Sequence, residues 1–105
     1  MNKYKIPWHV RSYVKKELMD YKKNKKLIDK CKGATRGVLL ASIRIQQIEN
    51  VFNALDKEDL EAAEIIFIDQ YSQSAAETAK GLSKAAYYNA MNKVIYLVAV
   101  EMDLV

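Results

Sequence analysis

Turn-forming residues are scarce in this chain: three glycines and one proline among 105 residues. A many-stranded β architecture needs a reversal about every 8–12 residues, most of them built on Gly, Pro, Asn or Asp. Long helices need far fewer. Half of the residues are hydrophobic and 29% are charged, a balance that favours a packed core over disorder. The length suits one domain. The expectation is an all-α single domain over residues 1–105, with no repeat and no alternating strand pattern.

Apolar spacing divides that domain into five helices. Residues 1–7 read as a polar tail, and Pro7 suits the first turn of the helix after it. Val10, Val14, Leu18, Tyr21 and Ile28 trace a helical stripe over residues 8–32, with Lys and Arg on the other face. Trp8 is expected to anchor the start of this helix to the core, and the KKNKK run at 22–26 to fray or curve it. Gly33 and Gly37 mark a short loop. A second helix over 38–54 aligns Leu40, Ile43, Ile48 and Val51 towards Leu55. Leu39, Ile45 and Phe52 widen that face, which predicts a largely buried helix. Residues 8–54 therefore form an N-terminal helical pair whose first member is basic. Asp56 is a good N-cap for a third helix over 57–71, with Leu60, Ala63, Ile66, Phe67 and Tyr71 inward. A short helix of small residues comes next, at 74–79. Ser83 caps a fifth helix from Lys84 to about Met102, whose inward row is Tyr87, Met91, Val94, Val98 and Met102.

Several function classes drop out. The single cysteine, Cys31, allows no disulfide within the chain and no Cys-based zinc site. It reads as a small structural residue, and a reducing cytoplasmic setting is expected. The N-terminus has lysines but no apolar signal core. The longest apolar runs, 38–43 and 94–100, fall far short of the roughly 20 residues of a membrane span, so no membrane role is expected. His9 has no second His or Cys nearby to share a metal. Glu58, Asp59, Glu61 and Glu64 read as a solvated helix face at a favourable N-terminal turn. No phosphate loop, nucleophile elbow or metal spacing is present. The expectation is a protein without catalysis and without cofactors.

Charge is more informative when split. Residues 1–44 hold thirteen Lys/Arg against three Asp/Glu, a balance of +10. Residues 45–105 hold four against ten, a balance of −6. A basic half of this density suits a polyanion, most often nucleic acid, or else is a solvated lysine-rich helix.

The layout of residues 55–105 favours nucleic acid. A helix, a short helix of alanines, a turn at Gly81 and a Ser-capped long helix together make a helix-turn-helix pattern. Alanines allow close helix crossing, glycine permits the sharp turn, and Ser83 ties down free N–H groups beside a phosphate. The outward set is Ser83, Lys84, Ala85, Tyr88, Asn89 and Asn92, with Lys93 beside it. Asn amides can bond adenine bidentately in the major groove. Lysines can take phosphates, and Tyr88 can touch the backbone or a thymine methyl. The predicted ligand is double-stranded DNA. The surplus apolar residues Ile95, Tyr96, Val100 and Leu104 predict a homodimer through the C-terminal helix.

The run Ser83-Lys84-Ala85-Ala86-Tyr87-Tyr88-Asn89 resembles the Ser-Lys-Ser-Thr-Tyr-Tyr-Arg type of sequence that opens the recognition helix of phage late-transcription regulators of the RinA/ArpU type. Their C-terminal part is similar to region four of bacterial sigma factors. Residues 55–60 through 67–71 look like that region's first helix, and residues 14–21 look like the helix these proteins place upstream. The resemblance implies an all-helical DNA-binding regulator of phage or prophage late genes that contacts RNA polymerase. Glu77 and Lys80 depart from the family's small and apolar residues at those positions, and Ala85 and Ala86 replace its Ser and Thr. Two other readings are carried: a protein-interaction module such as a phage adaptor or inhibitor, and a small terminase-like subunit that recognises packaging sites.

Overall fold

The computed structural model describes residues 4–30 and 36–105. Cys31 and the loop glycine Gly33 lie outside the described residues. Helices α1 (Trp8–Met19), α2 (Tyr21–Lys30), α3 (Arg36–Ala54) and α4 (Lys57–Ala63) come first. A π-helical turn, Glu64–Ile68, extends α4, and α5 (Gln73–Lys80) and α6 (Lys84–Glu101) complete the chain. Among the described residues there is no strand, so the fold is all-helical.

Among the described residues, the helix expected over 8–32 is two helices, which raises the count there from five to six. The Lys-rich run is not the cause. Asp20, at φ −89° and ψ 0°, ends α1, and helical hydrogen bonds continue across it from Asp20 N to Lys16 O (2.9 Å) and from Asn24 N to Asp20 O (2.8 Å). Between them, the Met19 carbonyl accepts a hydrogen bond from Gln70 Nε2 at 2.6 Å. A side chain entering the helical ladder is a recognised cause of a kink.

Helix α6 is the centre of the domain and packs against α1, α3, α4 and α5. Its expected inward row, Tyr87, Met91, Val94, Val98 and Met102, is buried throughout, joined by Ala90, Ile95 and Ala99. From α1 come Val10, Val14 and Leu18, and from α3 Ile48 and Val51. Helix α4 and its extension supply Ala63, Ile66 and Phe67. Sealing side chains such as Phe67, Leu18 and Ile66 from water stabilises the fold by about 1.5–3 kcal/mol each.

Three expectations about packing are corrected. Trp8 is 80% exposed and does not anchor α1; Val10, two residues further in, takes that place. Helix α3 is buried only over its second half, because its neighbours reach no further: Ile45, Ile48 and Val51 are inside, while Leu39, Leu40 and Ile43 are each more than half exposed. The apolar surplus at the end of α6 is absorbed within the chain. Ile95 is sealed in the core, Leu104 packs against it, and Tyr96 lies against the Tyr4 ring with centroids 5.4 Å apart. Only Val100 of that group is exposed, so the surface that motivated a dimer is mostly spent inside one molecule.

Candidate nucleic-acid interface

Helices α5 and α6 both begin at serines whose hydroxyls take up a free backbone N–H. Ser72 Oγ accepts from Ala75 N and Ser83 Oγ accepts from Ala86 N, each at 3.2 Å. The free N–H groups of a first helical turn otherwise seek water or a ligand. Between the helices, Gly81 adopts a left-handed conformation, φ 68° and ψ 19°. Its N–H donates to the Glu77 carbonyl and the next N–H, of Leu82, reaches back to Ala76 O, both at 3.2 Å. Residues 81–83 therefore turn the chain while the Ala76 and Glu77 carbonyls of α5 stay paired.

Two contacts fix how the helices cross. Ala76 is sealed completely against the core, where its small side chain permits close approach. The Tyr87 hydroxyl donates to the Tyr71 carbonyl at 2.9 Å, tying α6 to the segment that leads into α5. Burial pushes the Tyr87 phenol above its usual 10.0, with neighbouring Tyr88 adding to the rise.

The sequence-predicted site residues divide between two surfaces. Lys84, Ala85, Tyr88 and Asn89 are exposed on the first two turns of α6. Among the described residues, Lys84 forms no ion pair and the Asn89 amide no hydrogen bond. Tyr88 shows its outer edge while its ring meets Tyr87 edge-on, centroids 5.2 Å apart. Asn92 and Lys93 are half-buried one turn further along. They share a groove of about 690 Å³ with Asn89, Glu58, Asp59 and Tyr4. There the Lys93 ammonium is bonded to the Asp59 carboxylate, which holds it above its usual 10.5 against a smaller opposing effect of burial. Lys93 is thus a cross-link between α6 and α4 whose charge is already matched. Ser83 itself is a cap, with its hydroxyl facing its own helix.

The basic N-terminal half, from which sequence reasoning expected a polyanion contact without naming residues, presents a second surface. Lys22, Lys23, Lys26 and Lys30 line an open groove of about 610 Å³ between α2 and residues 68–70. Lys22, Lys26 and Lys30 among them recur at i, i+4 spacing. Among the described residues no three His, Cys, Asp or Glu side chains gather as a metal site, and no helix is long and apolar enough to cross a membrane.

No family model, no curated protein and no solved structure matches the chain.

Proposed function

We propose that the chain is a sequence-specific DNA-binding regulator in which α5, residues 81–83 and α6 form a helix-turn-helix. The carrying observation is the form of α6 after its Gly81 turn. Tyr87, Ala90, Met91 and Val94 are buried on one side, while Lys84, Ala85, Tyr88 and Asn89 stand exposed on the first two turns. A recognition helix needs that division, since its N-terminal residues meet base edges while the opposite side holds it to the domain. In this reading Asn89 reads a base edge, with Asn92 at the margin, and Lys84 takes a phosphate. The likeness of residues 83–89 to RinA/ArpU-type regulators supports transcription control of phage or prophage late genes and a contact with RNA polymerase. Such a role requires neither catalysis nor a cofactor.

A selection from random duplexes, followed by titration of the selected sequence, tests the proposal. Lys84→Ala with Asn89→Ala should abolish sequence preference while the helical content and melting transition persist. Undiminished preference in that variant refutes the site. One observation favours a different role, a protein-interaction module: Leu39, Leu40 and Ile43 form an exposed apolar ridge on α3. Retention of a protein partner, with no duplex bound even at low salt, would favour that reading.

A further inference from the structure

We infer that the outer face of α2 is a clamp for the phosphate backbone of the same duplex that α6 reads; the inference rests on the helix-turn-helix reading. Helix α2 has two unlike sides. Its inner side is fixed to α3. The Tyr21 hydroxyl donates to Glu49 at 2.8 Å, Lys25 Nζ reaches the same carboxylate oxygen at 2.9 Å, and the Tyr21 ring meets Phe52 edge-on at 5.8 Å. Lys25 is the one lysine of this helix used inside the fold. Lys22, Lys23, Lys26 and Lys30 point the other way, and among the described residues none of them forms an ion pair. Asp69 is the single acidic residue lining their groove.

The arrangement of these cations suits phosphates. Lys22, Lys26 and Lys30 succeed one another at four-residue intervals, so they rise along the helix in steps of about 6 Å. Phosphates recur regularly along a strand, one per roughly 3.4 Å of axial rise, so a regular file of cations can neutralise several of them. The helix beneath is braced, so the file of charges is presented in place. Met19, Leu27 and Ile68 give the groove an apolar floor, which suits the carbon face of deoxyribose between phosphates.

The groove is also joined to the reading helix. Gln70, at its rim, is bonded to Met19 O; the next residue, Tyr71, accepts the Tyr87 hydroxyl; and Tyr87 abuts Tyr88 on the exposed face of α6. The whole molecule measures 43 × 30 × 23 Å, little more than one duplex turn of about 34 Å. The clamp requires that one duplex reach both surfaces.

The test compares wild-type protein with Lys22→Gln/Lys26→Gln/Lys30→Gln, using the selected duplex and a scrambled one over a salt series. Loss of three phosphate contacts should flatten the slope of log affinity against log salt by about 2.7. The ratio of selected to scrambled affinity should stay unchanged, because phosphates carry no sequence. A control, Lys5→Gln/Lys15→Gln/Lys57→Gln, removes the same charge elsewhere and should change the slope by less than half as much. An unchanged slope in the α2 variant overturns the clamp and leaves the α6 reading standing. So does an equal change in the control, or a loss confined to binding of a Glu- and Leu-rich peptide probe. A wild-type protein that binds no duplex overturns both readings.

Discussion

Alanine placed at each of two glycines should move stability in opposite directions. A methyl group added at either Gly37 or Gly81 meets no atom within 4 Å, so steric clash is absent at both and backbone conformation decides the sign. Gly81 sits at φ 68°. An L side chain there costs about 1–2 kcal/mol, partly offset by the entropy that alanine removes from the unfolded chain. The net for Gly81→Ala is about 1 kcal/mol of lost stability, or a fall of about 4–8 °C in melting temperature. Gly81→Asn should lose less, since Asn tolerates this region. Gly37 lies in the first turn of α3, where Gly37→Ala should gain about 0.5 kcal/mol, the low end for a helical glycine. Urea unfolding followed by circular dichroism reads both, and an unchanged m-value guards against altered compactness. Equal shifts in the same direction would show that residue 81 is not left-handed, and the turn argued between α5 and α6 would fall with it.

Tyr87→Phe should cost about 1 kcal/mol by leaving the Tyr71 carbonyl without its 2.9 Å partner, while exposed Tyr88→Phe should leave stability unchanged; comparable losses from the two in thermal melts would refute the assigned burial. Glu49 is held below its usual 4.5, first by the hydrogen bond from Lys25 and then by that from Tyr21. A lowered carboxyl pKa means that its stabilisation is present above 4.5 and is lost as pH falls through the lower folded value. Glu49→Gln should therefore be less stable than wild type at neutral pH by about 0.5 kcal/mol, a figure suited to a partly exposed pair. That gap should close as pH falls below 4.5, and a gap independent of pH would refute the assignment.

Local rules carried the expectations where one helix decides the outcome. The inward row of α6 is set by spacing alone, and all five residues are buried. Asp56 and Ser83 cap as expected because a cap involves only the next three residues. Failures came where a distant element decides. The kink at Asp20 depends on Gln70, 51 positions from the Met19 carbonyl that it reaches. The apolar face of α3 is continuous in sequence, yet only its second half meets the core. Lys93 lies beside Asn92 on α6 as spacing implied, but its pairing with Asp59 reaches across 34 positions. Trp8 was misplaced because bulk and hydrophobicity argue for burial, while it stands about 200° around α1 from buried Val10, on the side away from the core.

Where the matched and unmatched charges lie sets the direction from which a duplex would approach in the proposed reading. Counting lysines overstates free positive charge, since Lys25 and Lys93 are both bonded to carboxylates within the fold. On the α4 side of the α6 surface, Glu58 and Asp59 line the groove shared by Asn89 and Asn92; Asp59 is matched by Lys93, and Glu58 would repel phosphates. On the side leading through Tyr71 and Gln70, the cations of α2 have no carboxylate bound to them. A duplex seated on Lys84 and Asn89 is therefore pushed from α4 and drawn to α2. Asn89 is exposed and nearer the N-terminus of the reading helix, whereas Asn92 is half-buried one turn further along, so Asn89 meets bases in preference to Asn92. Asn89→Ala should then cost more sequence preference than Asn92→Ala, and the reverse order in a duplex titration would place the DNA on the acidic side and refute this orientation.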